Sequence, residues 1–425
     1  KSTRRTWLGL DFVAIVVWVV GTTGTVQAWV PALASPGVSA AGFPRLGAEI
    51  VVSELDNEQY LPAVAYNWKH NEYLVVWHNQ WGGGGRDIYA QRVTSTGELK
   101  SWFAVSAGPN SRTEPSVAYD PVHDRYLVVW MWDSYGDGSD WDIRGRFIPW
   151  NGPSGSLGEF NICDWPTHQS EPKAVYARAQ EEFLVVWDNH YEFAVLPAYV
   201  SGQRIMAADG SFPDGAWTIA NHATEDRWRA NVAYNLARNE YLVVYDDGFD
   251  IYGTRLTGSG VKLGGGEFSI AGWPDREIRP AVAACRGADQ YAVVWQSFRF
   301  GDYDLYVRFI RGDGTPESVH PISELAGDQG FADVACDELG QKYLVTWQET
   351  LAQTGISGRI ISPNKTMEPG FQIVAPGPGR ADPAVGGGES NYLVVWEHHR
   401  GGTAFRDIHG RLITPYTVFL PLVPR

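Results

Sequence analysis

The sequence predicts an all-β chain, a seven-bladed β-propeller of four-stranded antiparallel blades, closed by an N-terminal strand in the last blade. Three observations predict it. One apolar strand phrase recurs seven times. Each copy is flanked by the same order of shorter strands and Gly-containing turns. The last copy lacks a fourth strand, and an orphan strand stands ahead of the first. Composition agrees. The 425 residues include 19 Trp and 47 Gly, with 44% hydrophobic and 20% charged residues. That balance excludes a disordered chain and suits aromatic strands joined by tight turns.

The recurring phrase is the second strand of each unit. It runs from Tyr73 to Trp77, and returns as Tyr126–Trp130, Phe183–Trp187, Tyr241–Tyr245, Tyr291–Trp295, Tyr343–Trp347 and Tyr392–Trp396. The period is about 50 residues, which suits propeller blades. Both faces of this strand are apolar, as expected for a strand covered by a blade on either side. Upstream lies a first strand that Pro opens, as at Pro62, Pro115 and Pro172, where a missing N–H is tolerated. A short polar link makes the first two strands a hairpin. The third strand closes on Arg in all seven copies: Arg92, Arg146, Arg204, Arg255, Arg308, Arg359 and Arg411. It opens on Asp in five: Asp87, Asp142, Asp250, Asp304 and Asp407. A catalytic residue is needed once, so repetition gives these Arg and Asp a structural role. Asp satisfies turn N–H groups, and Arg pairs with a carboxylate or stacks on an aromatic ring. A Gly-containing turn then leads to a fourth strand, as at Glu159–Ile162 or Glu267–Ile270. Four antiparallel strands repeated around an axis describe a propeller.

Ring closure follows from spacing. The interval from Phe103 to Pro115 recurs from Phe160 to Pro172, Phe268 to Pro280 and Phe371 to Pro383. It also separates Ile50 from Pro62, so residues 47–53 are expected to supply the fourth strand of the seventh blade. These phrases, Glu/Asn-Tyr-Leu-Val-Val-Trp and Asp-Ile-Tyr-Gly-x-Arg, resemble those of bacterial secreted β-propeller repeat proteins. The resemblance covers about residues 46–414. It implies the fold and says little of function, because propellers carry many activities.

The segments outside the ring carry other signals. Residues 1–34 have a basic start (Lys1, Arg4, Arg5), an apolar run from Phe12 to Val20, and small-residue cleavage patterns near Ala28 and Ala34. This is the layout of an export signal, with a loose twin-arginine pattern. If retained, the segment is instead an apolar anchor or assembly element, the one route to membrane contact. Residues 35–45 form a linker. Residues 415–425 form an apolar tail in which Val418, Phe419, Leu420, Leu422 and Val423 are candidates for assembly by strand addition. The alternative is packing on the chain's own blade, and Pro421 and Pro424 restrict the tail to an edge. The expected location is extracellular or on a cell surface.

The formal net charge of -15 argues against nucleic-acid binding. Cys163, Cys285 and Cys336 lack metal or redox spacing. They are expected to be buried small residues, with a bond between Cys285 and Cys336 disfavoured by their offset on neighbouring first strands. Motifs for metalloprotease, serine-hydrolase and phosphate-binding chemistry are absent. Departures from the repeat point to ligands instead. Loops between second and third strands share one face of the ring and hold Trp81, Trp132, Tyr135, Trp141, Phe298, Tyr303, His398 and His399. Aromatic rings and acids suit sugar or protein contacts. Asp133, Asp137, Asp140 and Asp142 form a weak calcium candidate, without the EF-hand pattern. Apart from calcium, no cofactor is expected. The function expected first is a structural or adhesive surface protein that self-associates or meets other surface proteins. A carbohydrate-binding propeller comes second, and a glycoside hydrolase or lyase, on fold analogy alone, third.

Overall fold

A computed structural model describes residues 43–415, apart from 83, 156, 191–195, 351–352, 378 and 402–404. The export signal or anchor expected over residues 1–34 and the assembly candidates from Val418 to Val423 lie outside the described residues. Seven four-stranded antiparallel sheets make up the ring, and no helix occurs among the described residues. Blade 1 shows the pattern: an inner strand Glu58–Asn67, a second strand Glu72–Gln80, a third strand Arg86–Thr94 and an outer strand Leu99–Ser106.

The seventh blade closes as the spacing predicts. Its inner strands are Arg380–Gly387, Tyr392–His399 and Arg406–Thr414. Its outer strand is Arg45–Ser53, which pairs antiparallel with Arg406–Thr414 and sets Ile50 opposite Gly410. Phe160, Phe268 and Phe371 stand opposite Gly145, Gly253 and Gly358 in their own blades. Ile50 therefore occupies their position. Each glycine lets the ring of the opposite Phe lie flat on the sheet. A Cβ added at Gly253 would come within 3.2 Å of the Phe268 ring and 2.8 Å of Ile270.

The apolar interior is seven separate layers, each between two neighbouring blades. Second strands supply both sides of every layer. Leu74 and Val76 face blade 2, while Tyr73, Val75 and Trp77 face blade 7. This is why the recurring phrase has no polar face. The Tyr hydroxyl then reaches the preceding blade. Tyr392 donates to the Lys342 carbonyl (2.7 Å), Tyr291 to the Glu240 carbonyl (3.3 Å) and Tyr73 to the Asn391 side chain (2.8 Å).

The closing Arg divides into two classes. Blades 1, 3 and 4 carry one extra residue (Gln91, Gln203, Thr254) ahead of it. A shift of one residue turns a strand side chain to the other face. Arg92 and Arg204 therefore bond bidentately to Glu72 and Glu182 on their own second strands, at 2.8 Å, and Arg255 pairs with Glu240. In blades 2, 5 and 7 the Arg faces backward. Arg146, Arg308 and Arg411 donate to the carbonyls of Val105, Ile270 and Ile373 on the preceding blade's outer strand.

Two expectations need correction. Cys285 and Cys336 are joined in a disulfide, with Cα atoms 5.3 Å apart. Inner strands of adjacent blades run side by side near the axis. The one-residue offset remains, for Cys336 takes the place of Ala284 in its blade, but Cys285 lies just beyond the end of its strand and still comes within bonding reach of Cys336. Pro62 does not open its strand either. It lies within a bulge between Tyr60 and Ala63 that interrupts the ladder, so no N–H is needed there.

Candidate functional site

That bulge recurs in all seven inner strands. It places one residue per blade in the left-handed region: Leu61, Glu114, Glu171, Arg229, Arg279, Phe331 and Asp382, with φ between 46° and 57°. Non-glycine residues hold this conformation at a cost of about 1–3 kcal/mol each, and keep it only where neighbours enforce it. The neighbours are side chains of the preceding blade, most of them directly after the recurring phrase. Glu397 accepts the Leu61 N–H (2.9 Å), Asp246 that of Arg279 (2.9 Å) and Gln296 that of Phe331 (3.1 Å). Asp188 accepts from both Arg229 and Ala230. Blade 2 has the apolar Met131 at this position, and Glu114 takes over, accepting the Glu171 N–H at 3.0 Å. The frame is thus repeated while the displayed side chain changes from blade to blade.

The displayed residues line an axial cavity of about 580 Å³ that all seven blades contribute to. At the opposite end of the inner strands, turns between first and second strands meet on the axis. Arg178 of blade 3 reaches Glu338 of blade 6 (3.2 Å) and lies over Trp68 of blade 1 (5.0 Å), and Arg286 of blade 5 joins Glu338 (3.0 Å). Contacts between blades so far apart in the ring exist only on the axis. Inner strands start on the loop face, so the cavity lies toward that face. Another cleft, of about 480 Å³, lies between blades 5 and 6 and is lined by framework residues such as Trp347 and Arg359.

The cavity combines paired acids with unpaired cations. Burial, then the charge of Glu171, pushes the Glu114 carboxyl up to about 7. Burial, then Asp382, pushes Glu397 up to about 7, and Asp382 itself is raised by burial. Burial pushes Asp246 up to about 6 against the pull of Arg229, whose guanidinium it binds at 2.7 Å. By contrast, Arg279 and Lys173 form no ion pair among the described residues. Arg279 rests on the ring of Phe331 at 4.7 Å. Arrangements of this kind, with perturbed acids and free cations in one concavity, mark candidate ligand sites.

The residues singled out from sequence lie elsewhere. Tyr135, Phe298 and Trp81 are exposed on the loop face, as expected. Phe298 and Tyr303 form a T-shaped pair with centroids 5.1 Å apart. Trp81 donates to Asp87 (2.7 Å). Trp132 is half-buried beneath the Arg144 guanidinium, 3.3 Å from its ring, so one stacking face is occupied. Trp141 donates to the Gly138 carbonyl (3.2 Å) and packs in the layer between blades 2 and 3. These residues sit on blades 1, 2, 5 and 7 and do not converge. His399 bonds to the Gly379 carbonyl through its backbone N–H (3.0 Å), while His398 stacks on His409.

Three of the four aspartates are spent locally. Asp133 accepts N–H groups of Gly136 (2.7 Å) and Gly138 (3.0 Å), Asp137 that of Ser139 (3.0 Å), and Asp140 the Ser134 hydroxyl (2.8 Å). Burial, then Asp140, raises Asp142 to about 7. Their oxygens do not gather into a cluster of three or more ligand atoms among the described residues. The expected structural role of Asp87 holds, since it accepts the Gly108 N–H at 3.1 Å.

The axial residues were missed because the repeat hides them. Their signal was an inner-strand position, before Pro in five blades, that is charged in five of the seven copies and apolar in two.

Comparison with known proteins supports the ring and no more. Solved structures that the chain resembles include the β-propeller domain of Cps50 (Swd1) from Myceliophteria thermophila, at 8% identity, TM-score 0.52, over 86% of this chain and 99% of that one. The Hadza microbial sialidase Hz136 matches at 12% identity and TM-score 0.49, over 69% of this chain, which spans 63% of that one. The K499G mutant of NanB sialidase from Streptococcus pneumoniae matches at 8% identity and TM-score 0.48, over 86% of this chain and 70% of that one. At 8% identity the first of these shows the propeller fold alone. No protein-family model matches the sequence, and no curated protein matches it.

Proposed function

We propose that this protein is a ligand-binding propeller that takes a small carboxylate-bearing molecule, an acidic sugar or similar organic acid, into its axial cavity. The observation that carries the reading is the pair of cations, Arg279 and Lys173, that face the cavity without ion-pair partners. Burial favours the protonated form of Glu114, Glu397, Asp333 and Asp382, which leaves part of that positive charge uncancelled. Arg suits planar carboxylates, and Phe331 and Leu61 offer apolar surface to the body of a ring. The disulfide fits an oxidising, exported setting, in keeping with the expected location. Self-association and adhesion rest on the apolar segments at both ends, residues 1–34 and 416–425, outside the described set.

Calorimetry with galacturonate oligomers and their neutral galactose counterparts tests this reading. Binding is expected for the acidic ligands only, tightening as pH falls toward 5–6 and the paired acids fill with protons, an effect of about one proton's linkage. Arg279→Gln should weaken it by roughly 1.5–3 kcal/mol, the worth of a hydrogen bond to a charged group. Equal binding of neutral ligands, or indifference to Arg279→Gln, would overturn it.

A further inference from the structure

The seam that closes the ring carries a second constellation, away from the axis. Glu49 lies on the N-terminal strand, and His398 and His409 lie on the second and third strands of blade 7. We propose that these three residues bind a divalent transition ion, zinc by its ligand set, that clasps the two ends of the propeller. One ligand atom from each lies within 4.8 Å of the other two, the one such trio among the described residues. His409 Nδ1 stands 2.6 Å from Glu49 Oε1. The imidazoles of His398 and His409 are stacked, with centroids 4.1 Å apart and planes at 10°.

The unused atom is His398 Nδ1. It is shielded from solvent and has no hydrogen-bond partner among the described residues. Glu49 Oε1 is 4.0 Å from it, too far for a hydrogen bond. A buried polar atom left so carries a desolvation penalty that a bound ion would remove. Glu49 has a second oxygen, which Arg411 holds at 3.5 Å, so the carboxylate is oriented with Oε1 toward the imidazoles. Zinc sits about 2.0–2.2 Å from nitrogen and oxygen ligands, so side-chain rotations on the order of 1 Å complete the site. Two imidazoles and one carboxylate suit zinc and its neighbours, with a fourth position for water. Calcium and magnesium, which take oxygen ligands, are poor fits. The guanidinium groups of Arg411 and of Arg380, which stands opposite His398, lower affinity, and Asp407 on the other side of His398 is already held by Arg400 at 2.6 Å, so the ion's charge is met mainly by Glu49.

The consequence lies in chain connectivity. Glu49 and His409 are separated by 360 positions in sequence. An ion between them ties the first strand of the ring to the last and opposes loss of the closing strand.

Metal-stripped protein titrated with cobalt and zinc tests the proposal. Cobalt should produce the visible d–d bands of a low-coordinate nitrogen and oxygen site, and zinc should raise Tm. His398→Ala should abolish both while leaving the metal-free Tm near that of the parent, because His398 Nδ1 bonds nothing there. Glu49→Gln should weaken zinc binding at least ~10-fold. The proposal fails if cobalt gives no bands, or if zinc still raises Tm in His398→Ala. It also fails if His168→Ala, which breaks the other close imidazole pair (His168 and His190, centroids 4.6 Å apart), removes binding instead.

Discussion

Glu114 accepts a backbone N–H from blade 3 while standing beside Glu171 in the axial cavity. Burial and that neighbour raise its carboxyl from 4.5 to about 7. The folded state thus holds a proton that the unfolded chain releases. Its stabilising effect is full below the ordinary value of 4.5 and is lost as pH rises through about 7. Glu397 behaves the same way, for burial and Asp382 raise it to about 7 as well. The urea midpoint should therefore fall between about pH 5 and pH 8, and Glu114→Gln should flatten that slope. An unchanged slope would mean that Glu114 titrates as a free carboxyl. None of this was legible in the sequence. One acid among 49 carries no mark, and the burial of Glu114 follows from a bulge that no local pattern announces.

At the scale of the element, one inserted residue decides which blade an Arg serves. Gln203 turns Arg204 onto Glu182, whose side chain is 1% exposed. Arg146 lacks that residue before it and bonds a backbone carbonyl. Arg204→Met should then cost about 3–5 kcal/mol, because it strands a buried charge. Adding Glu182→Gln should recover much of the loss, whereas Arg146→Met should cost only about 1–2 kcal/mol. Urea unfolding of the three variants checks the difference. The sequence displayed all seven Arg residues and the extra position, so their structural role was readable. Their direction was not, because it depends on register against a second strand. The Asp-rich loop read the other way: local turn chemistry, visible in its Gly and Ser, accounts for Asp133, Asp137 and Asp140.

The whole molecule was the most legible level. Blade number, strand order and the closing strand all follow from a repeat, and repeats state packing rules many times over. The disulfide was misjudged because it depends on the spacing between blades, which sequence does not give. Since the interior is seven layers rather than one, stability at the seam rests on the strand Arg45–Ser53. Val52 is 3% exposed in the layer between blades 7 and 1. Val52→Asp should destabilise by more than about 4 kcal/mol, an unpaired charge in a core being among the costliest changes. Hydrogen exchange should then rise first in Arg406–Thr414, with blades 3 and 4 protected longest.

The seam also has a mechanical side. Arg45 stands opposite Thr414, so the two ends of the ring leave from one point. Tension between the flanking segments would peel this strand pair one bond at a time, rather than shear all its bonds together. A ring closed in this way would thus open at its seam under a small pull. The first cross-link such a peel meets is Glu49, held by His409 and Arg411.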